Sequence, residues 1–425
     1  MVREPSMPPH AATRAESEAP SALAQLRGLI SELLEHNPFW APRLRRAGLD
    51  RGVDSLAHFA EVMPRVEKSE LIADQRRHPP YGRNVTYPLE RYVRLHQTSG
   101  TSGGTPLRFL DTPESWSAQL ATWRRVLTAC DITAGDRIFF PFSFGPFLGF
   151  WTAFEAAGEM GCLTLPGGGL SSRGRLDMLL ANDATALCCT PTYALRLGEV
   201  AAEAGLELGR DGEPRTLIVA GEPGGSIPEA RARISDLWSG ARVFDHHGMT
   251  ESGPVSYPDP QRPGVLRVDG DAFFAEILDP DTGRAAADGE LGELVLTTLR
   301  RWGSPLLRYR TGDLVRRVAA PPGRPGDLGL EGGVLARTDD MVVVRGVNLY
   351  PSAFDRVVRR FDDVAEYRVE LRQDRGMTEV GLEIEPRPSV DAAALARELG
   401  HSLRAAFNLR IPITAVAPGH LPRFE

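Results

Sequence analysis

The stretch from His96 to Pro106 combines glycine and hydroxyl side chains more densely than any other part of the chain. Its sequence, HQTSGTSGGTP, holds three glycines, two serines and three threonines in eleven residues. Glycine lets the backbone approach a ligand and adopt positive φ, and successive N–H groups with hydroxyls can surround phosphate oxygens. We therefore expect a phosphate-binding loop. It lacks the Gly-Lys-Ser/Thr ending of a P-loop NTPase, since Gly103-Gly104-Thr105 stands there instead.

Later stretches carry side chains that could complete a nucleotide site. The runs GEP at 221–223 and DHHGMTE at 245–251 each follow an apolar segment, and YRTGD at 309–313 offers a carboxylate suited to ribose hydroxyls. Arg337 and the pair Asp339-Asp340 come at a junction between two parts of the chain. The adjacent histidines at 246 and 247 suggest a metal site, but no third ligand stands nearby in the sequence.

The elements that must position these residues alternate in type. Strands are expected at 137–142, 162–165, 185–190, 216–220 and 241–244, and helices after Thr112-Pro113, near Trp151, at Pro191 and after a Ser226–Glu229 capping box. This alternation predicts a parallel sheet with helices on both faces. Ligands bind beyond the carboxyl ends of such strands, and the glycine-bearing loops 167–169, 221–225 and 248–253 fall there.

The fold class predicted is α/β with two domains. Residues 1–20 form a polar, proline-rich leader without the apolar core of a signal peptide. Residues 21–338 form a large nucleotide- and acyl-binding domain, with helices at 23–34 and near 64–71, parallel or mixed sheets, and antiparallel β structure from 273 onward. Residues 339–425 form a small, mobile α+β domain, with a helix from a Ser352–Asp355 box, strands at 366–372 and 378–385, a helix at 391–407 and a last strand at 411–416.

Composition excludes several classes of function. The 425 residues carry a net charge of −7, with 42% hydrophobic and 25% charged residues, so no bulk feature points to nucleic acid or a membrane. The four cysteines, at 130, 162, 188 and 189, form no CxxC pair, and no apolar run approaches 18 residues. We expect a cytoplasmic protein. The oligomeric state stays open, and a homodimer is one option.

Taken in order, these stretches resemble the adenylate-forming superfamily, the acyl- and aryl-CoA synthetases, and within it the phenylacetate–CoA ligase family. The resemblance rests on five motifs: TSGTSGGTP at 98–106, CTPTYAL at 189–195, GMTE at 248–251, YRTGD at 309–313, and RTDDM with RGVN and a proline across 337–351. It covers the chain from about residue 60 onward. It implies a ligase with two half-reactions. A carboxylate attacks the α-phosphate of Mg·ATP to give an acyl-adenylate and pyrophosphate; the small domain then rotates, and a thiol attacks the adenylate.

The resemblance also implies the cofactors and the residues that hold them. ATP, Mg²⁺ and CoA (or the phosphopantetheine of a carrier protein) would be used. The ATP phosphates would be held by Thr98, Ser99, Gly100, Thr101, Ser102, Gly103 and Thr105. The adenine side would be lined by Gly221, Glu222, Pro223, His246, His247 and Gly248.

Five further residues are implied as catalytic or nucleotide-binding. Thr250 would touch the α-phosphate, Glu251 would hold Mg²⁺, and Asp313 would bind the ribose hydroxyls with Arg337 beside it. Asp339 would be the hinge of the small domain. Each has a structural alternative: Glu251 as a cap or ion-pair partner, for example, and Asp313 as a turn residue.

The acid itself is expected to be aromatic. Its pocket should draw on Phe142, Phe144, Phe147, Tyr193 and Ala220. An aromatic lining suits a flat aryl acid through stacking and apolar burial. The alternative is that Phe147 belongs to a helix core. A role in aromatic-acid or secondary metabolism follows from such a substrate.

Lysine is where the sequence departs from the family pattern. Relatives carry lysine where Gly104 stands, and the segment Leu421–Glu425 falls where a glycine–lysine segment is expected to begin. Lys68 is the chain's single lysine, and it matches a helix start in the amino-terminal part, so it is not expected to substitute. Either the carboxyl-terminal segment has been clipped from this sequence or the protein works without the lysine of that segment, and we therefore expect slow adenylation by this chain. Two alternatives stay open beside the ligase: a nucleotide-binding homologue without full ligase activity, and an enzyme that passes the activated group to an amine, forming an amide or a diazo product.

Overall fold

The structure is a computed structural model that describes residues 21–98, 106–209, 214–319, 326–338, 342–344, 347–374 and 377–422. Within these residues no helix is both long enough and apolar enough to cross a membrane. Several predicted positions lie outside the described residues: the leader 1–20, Ser99, Gly100, Thr101, Ser102, Gly103, Thr105 and Asp339. The domain boundary at 338/339 stays a prediction.

Four short helices form the amino-terminal part: α1 (Ala22–His36), α2 (Ala41–Arg46), α3 (Leu56–Val62) and α4 (Lys68–Arg77). The apolar residues of α1 recur at helical spacing and are buried in one core with those of α2 and α3. α1 ends at His36 because Asn37 precedes a proline and is extended. A backbone bridge from Val66 to Tyr309 ties the start of α4 to a strand far along the chain.

A β-hairpin flanks the glycine-rich loop. Strands β1 (Arg94–Gln97) and β2 (Arg108–Asp111) pair antiparallel on either side of it. Helix α5 (Pro113–Ala129) follows, with Thr112 at its N-cap and proline at its first position, as the sequence predicts.

A five-stranded parallel sheet forms the centre of the large domain. Its elements are β3 (Arg137–Phe140), α6 (Trp151–Glu159), β4 (Leu163–Pro166), α7 (Ser172–Ala181), β5 (Ala186–Cys189), α8 (Pro191–Glu203), β6 (Thr216–Ala220), α9 (Pro228–Leu237) and β7 (Arg242–His246). The strand order is β4-β3-β5-β6-β7, and every neighbouring pair is parallel. Ile138 and Phe140 face α5 and α6, whereas Phe139 faces the opposite layer of α7 and α8. Because the chain turns to opposite sides of the sheet after β3 and after β5, a ligand-binding crevice is expected between these two neighbouring strands.

Two predicted capping boxes are wrong. Helix α9 has Ile227 at its N-cap, without a side-chain cap, because the Ser226 hydroxyl donates to the Asp245 carboxylate instead, at 2.6 Å. The second box, Ser352–Asp355, was predicted at the start of helix α10 (Pro351–Val358). This helix begins instead at a proline, with Tyr350 at its N-cap. Asp355 within it accepts a hydrogen bond from the Tyr367 hydroxyl at 2.8 Å.

The antiparallel part of the large domain is a six-stranded sheet with a small ribbon beside it. The ribbon is β8 (Gly248–Met249) with β9 (Gly253–Pro254), and the sheet contains β10 (Ser256–Pro258), β11 (Val265–Val268), β12 (Phe273–Leu278), β13 (Leu291–Thr298), β14 (Tyr309–Val318) and β15 (Leu328–Arg337). The strand order in the sheet is β10-β11-β15-β14-β13-β12. The register of β14 against β15 places Asp313 directly opposite Arg337.

The small domain has a separate core. It contains β16 (Val342–Val344), β17 (Val347–Leu349), α10, β18 (Val364–Asp374), β19 (Met377–Pro386), α11 (Ala392–Phe407) and β20 (Ile413–Ala415). The β18-β19-β20 sheet packs against α10 and α11 through residues such as Phe354, Leu382 and Leu399. The predicted fold class, an α/β large domain with an antiparallel portion and an α+β carboxyl-terminal domain, is confirmed.

Candidate active site

Two neighbouring cavities open beyond the carboxyl ends of the parallel strands. The first, of about 720 Å³, is reached by the segments that follow β3, β5, β6 and β7, at the crevice the strand order predicts. The second, of about 320 Å³, lies between the large and small domains. The two share lining residues: Gly221, His246, Gly248, Met249 and Arg337. After the ligands that the sequence motifs predict for them, we call them the acyl–phosphate cavity and the nucleotide cavity.

Asp313 is the charged centre of the nucleotide cavity. Its carboxylate, almost fully buried, accepts from Arg337 Nη1 at 2.7 Å and from His247 Nε2 at 3.0 Å. The strand register fixes the pairing with Arg337. Asp313 also lines the cavity, so further lone pairs of the carboxylate can accept hydroxyl donors. The Thr311 hydroxyl accepts from the Asp313 backbone N–H at 3.0 Å, which holds the strand in this position.

The predicted adenine-side residues lie together on the nucleotide cavity. Gly221, with φ +95°, turns the chain directly after β6. The Glu222 carboxylate accepts from the Thr192 backbone N–H at 2.7 Å, at the start of α8. Lining this cavity are Gly221, Glu222, Pro223, His246, His247 and Gly248. The small domain adds Pro351, Asp355 and Tyr367.

Lys68 and Glu251 form an ion pair in the acyl–phosphate cavity. Lys68 Nζ lies 2.9 Å from Glu251 Oε1, and the two side chains are 36% and 9% exposed. Both residues line the cavity, together with Thr98 and Thr250. Lys68 is the first residue of α4, as the sequence predicts, and the start of this helix lies at the cavity.

The start of α4 reaches this position because strand β14 holds it. Val66 hydrogen-bonds through its backbone to Arg308 at 3.0 Å and Arg310 at 2.9 Å. Glu67, the N-cap of α4, accepts from Arg310 Nη1 at 2.8 Å. The segment before Lys68 is thus attached to β14. The same strand carries Asp313, four residues after its first residue, Tyr309. That Lys68 is the single lysine among many arginines is the one sequence signal that could have drawn attention to it.

Thr98 marks the base of the glycine-rich loop. Its backbone N–H donates to the Leu107 carbonyl at 2.9 Å, and its hydroxyl accepts from the Leu107 N–H at 3.0 Å. These two bonds bring the ends of the loop together at the cavity wall. The hydroxyls, carboxylate and ammonium at this end give it the donors and acceptors that a polyphosphate requires.

Arg301 supports the turn that carries Thr250 and Glu251, a role that sequence reasoning missed. Its Nη1 donates to the carbonyls of both residues, at 3.0 and 2.7 Å. Its other nitrogens form a buried bidentate pair with Asp111 at 2.7 Å. Such a pair fixes geometry, and breaking it would leave a buried charge.

Glu251 fits a magnesium ion that is partly coordinated by substrate. Mg²⁺ prefers oxygen ligands and usually binds through one or two carboxylates plus phosphates and water. No group of three or more His, Cys, Asp or Glu side chains suited to a metal occurs in the described part of the chain. Glu251 with the nearby Thr98 and Thr250 hydroxyls provides hard oxygen donors of the right kind.

The far end of the acyl–phosphate cavity is aromatic. Of the predicted acyl-pocket residues, Phe142, Phe147 and Ala220 line it. Three residues that sequence reasoning missed join them: Trp123, Leu148 and Phe150.

Two predicted acyl-pocket residues lie elsewhere. Phe144 packs edge-on against Phe142 at 5.4 Å and against Trp151 at 4.7 Å, behind the lining. The Tyr193 hydroxyl accepts from Arg175 Nη1 at 2.6 Å and lies 3.2 Å from the Ser172 hydroxyl, against the opposite helical layer. The structure therefore places both outside the cavity wall.

Comparison with known proteins supports the motif-based resemblance. Residues 346–425 match a family model described as the AMP-binding enzyme C-terminal domain. A phenylacetate-coenzyme A ligase from Thermus thermophilus is 28% identical over 433 residues, which cover 94% of this chain and 93% of that protein. The resemblance to the phenylacetate–CoA ligases is confirmed.

A solved structure of a 2-hydroxyisobutyryl-CoA ligase resembles the whole chain. In the postadenylation state, in complex with R3-HIB-AMP, it gives a TM-score of 0.85 at 27% identity, covering 100% of this chain and 93% of that one. The same ligase in the thioesterification state, with 2-HIB-AMP and CoA, gives 0.66 at 28% identity, covering 95% and 87%. The arrangement of the two domains in the present chain is therefore more similar to that of the postadenylation structure than to that of the thioesterification structure.

Proposed function

We propose that this chain, a relative of the phenylacetate–CoA ligases with the fold of the adenylate-forming enzymes, is an AMP-forming acid–thiol ligase for an aromatic carboxylic acid. The observation that supports this most is the continuity of the site. One cavity joins an aromatic end to the Lys68–Glu251 pair, and a second cavity beside it centres on Asp313. A flat acid, a polyphosphate and a nucleoside would therefore each have a matching surface in the two cavities.

In the first half-reaction, a carboxylate oxygen of the acid attacks the α-phosphorus of ATP, and pyrophosphate leaves. Catalysis of such a step consists of positioning and of stabilising charge on the transferring group. Phe142, Phe150 and Trp123 would hold the ring of the acid, and Thr250 would contact the α-phosphate. Asp313, oriented by Arg337 and His247, would accept the ribose hydroxyls.

Lys68 and Glu251 would act on the phosphates together. Without nucleotide, the ammonium neutralises the carboxylate at 2.9 Å. The anionic triphosphate would provide the counter-charge for Lys68, whose ammonium would turn to a phosphate oxygen, and Glu251 would then be available to hold Mg²⁺. The metal, when bound, supplies neutralisation of the phosphate charge.

In the second half-reaction, the CoA thiolate attacks the carbonyl carbon of the acyl-adenylate, and AMP leaves. The small domain already borders the nucleotide cavity through Pro351, Asp355 and Tyr367. Its separate core allows it to move as a unit against the large domain. The arrangement that the thiol requires would be reached by such a movement.

Exchange of labelled pyrophosphate into ATP tests the proposed function. We expect exchange that requires Mg²⁺ and an aromatic acid, and thioester formation when CoA is then added. Exchange without thioester formation would contradict CoA as the acceptor, and a carrier-protein phosphopantetheine or an amine would then be tested in its place. Binding of ATP without exchange, across a broad panel of acids, would contradict the ligase activity itself.

A further inference from the structure

The aromatic end of the acyl–phosphate cavity contains a buried hydroxyl with no partner. Thr152, in the first turn of α6, is fully buried and lines the cavity. Its Oγ1 makes no hydrogen bond to any residue that the structure describes. A buried hydroxyl normally has a partner, because leaving it unpaired loses the hydrogen bond it would make in water.

His246 presents a hydrogen-bond acceptor to the same cavity. Its Nδ1 lies 2.7 Å from the Ser256 carbonyl oxygen, which can only accept, so Nδ1 carries the proton and Nε2 carries a lone pair. Burial lowers the pKa of His246 to about 3, so the ring is neutral near pH 7. The Trp123 ring, 4.2 Å away, holds the imidazole in place. Among the described residues, only Ser256 is bonded to the His246 ring nitrogens.

A third polar side chain lies behind the wall at Gly253. Both side-chain polar atoms of Gln119 are buried and lack partners in the described part of the molecule. Gln119 precedes Trp123 by one helical turn on α5, and its Oε1 is 2.5 Å from the place where a Cβ on Gly253 would stand. Gly253 itself lines the cavity. Gln119 itself lines a separate small cavity, so the polar groups that face the aromatic pocket are those of Thr152 and His246.

We propose that the aromatic acid bound here carries a hydroxyl or amino substituent on its ring, whose hydrogen bond His246 Nε2 accepts and which Thr152 Oγ1 also contacts. The inference rests on the proposed function and names its substrate class. A donor is required because Nε2 offers only a lone pair. A second carboxylate is disfavoured, because the cations lining this cavity, Lys68 and Arg337, belong to its polar end. A ring without a polar substituent would leave both groups buried and unpaired.

Matched acids test this directly. The kcat/KM for pyrophosphate exchange is measured for benzoate, for its hydroxy and amino derivatives at each ring position, and for the methyl and methoxy derivatives, which resemble them in size but lack a donor. We expect at least one hydroxy or amino acid to exceed benzoate and its own methyl or methoxy counterpart by about 100-fold, since sites built to hydrogen-bond a substrate group strongly reject analogues that lack it.

Variants of Thr152 separate hydrogen bonding from packing. Thr152→Val keeps the shape and removes the hydroxyl, so the ratio of kcat/KM for the preferred acid over benzoate should fall about tenfold; Thr152→Ser should keep it. Thr128→Val, the same change at an exposed position of α5, serves as the control and should leave the ratio unaltered.

Three results would overturn the inference. Equal use of benzoate and its hydroxy and amino derivatives would contradict it while leaving the ligase function standing. A ratio unchanged in Thr152→Val, with the variant folded by its melting curve, would also contradict it. The absence of exchange with every acid would overturn the proposed function and this inference together.

Discussion

Lys68 is the residue whose substitution is expected to affect the phosphate end of the cavity most. An ion pair between exposed groups is worth little, but Glu251 is largely buried and the ammonium is aimed into the cavity. We expect Lys68→Ala to reduce pyrophosphate exchange about 100-fold, the effect of removing one charge-stabilising donor from such a site. Lys68→Arg should lose about tenfold, because a planar guanidinium does not reproduce a compact ammonium.

The control is on the same helix. Arg77 is exposed and, among the described residues, donates within α4 to the Ala73 carbonyl at 3.1 Å, so Arg77→Ala removes a cation without touching the cavity. Its exchange rate should stay within about twofold of the unmodified chain. If Lys68→Ala also stays within that range, Lys68 has only a structural role.

For single residues, the sequence predicted a position at the cavities where the residue belongs to a short motif. Asp313, Glu251 and Gly221 lie on the cavities because each stands in a motif of fixed local shape. Lys68 and Arg301 could not be predicted, because their positions depend on long-range contacts, from α4 to β14 and from Arg301 to Asp111. The misplacement of Phe144 has a similar cause: which aromatic side chains face the cavity depends on the fold of the loop between β3 and α6.

That loop, with the start of α6, is the element that shapes the aromatic end. Gly149 has φ +40°, and a Cβ there would lie 2.3 Å from Cζ of Phe142. We therefore expect Gly149→Ala to displace the Phe142 ring and to lower kcat/KM for the acid about tenfold or more, while the affinity for ATP, measured by calorimetry, changes little.

Gly158 provides the matched comparison within the following helix. It is exposed near the end of α6, has no positive φ, and a Cβ there would meet nothing within 4 Å. Gly158→Ala should leave kcat/KM unaltered and raise the free energy of unfolding by about 0.5–1 kcal/mol. Equal losses of activity in both variants would show that the Phe142 contact does not govern the acyl pocket.

Asp245 makes the stability of the strand β7 region depend on pH. Burial raises the pKa of this carboxyl to about 6 from 3.8, although the Ser226 hydroxyl and the His246 N–H donate to it. The folded state therefore binds the proton more tightly. The stabilisation is fully present below pH 3.8 and is lost as the pH rises through about 6.

Asp245→Asn removes this titration. Between pH 4 and pH 7, the free energy of unfolding of the unmodified chain should fall by up to about 3 kcal/mol relative to that of the variant. This figure is the difference between the folded and unfolded pKa values, converted at about 1.4 kcal/mol per pKa unit. Urea unfolding of both proteins at several pH values in this range measures it. Parallel curves for the two proteins would contradict the prediction.

At the element scale, the sequence was most informative about periodicity and least about caps. The apolar segments predicted the parallel strands to within a residue or two, and the three central strands, β3, β5 and β6, are buried on both faces. The Ser226–Glu229 box was wrong because Ser226 is hydrogen-bonded to a neighbouring strand rather than to its own helix. A local pattern cannot show that a side chain has a competing partner far along the chain.

At the scale of the whole molecule, three ion pairs between described residues join the large and small domains. Arg360 pairs with Glu229 at 2.9 Å, Arg233 with Asp362 at 3.4 Å and Arg387 with Glu199 at 3.6 Å, across the face between the domains. All three pairs are partly or well exposed. Such pairs contribute at most about 1 kcal/mol each to the stability of this domain arrangement. Weak pairs suit domains that must move apart from this arrangement during the proposed reaction cycle.

We expect Arg360→Gln to lower the exchange rate up to about fivefold at low salt, by weakening the arrangement in which these pairs form. The difference should vanish in 0.5 M NaCl, where exposed charges are screened within a few ångströms. A deficit of the same size at both salt concentrations would show that Arg360 acts through packing and not through its charge.

Adenylation of the acid is tested most simply by tracing one oxygen atom from the carboxylate to the product. In the proposed reaction, a carboxylate oxygen of the acid becomes the bridge to the α-phosphorus and leaves with AMP when the thiol attacks. With ATP, Mg²⁺, CoA and an aromatic acid labelled with oxygen-18 in its carboxylate, mass spectrometry should find a single labelled oxygen in AMP and none in inorganic phosphate or pyrophosphate. Label in inorganic phosphate, with ADP as the nucleotide product, would contradict adenylation at this site.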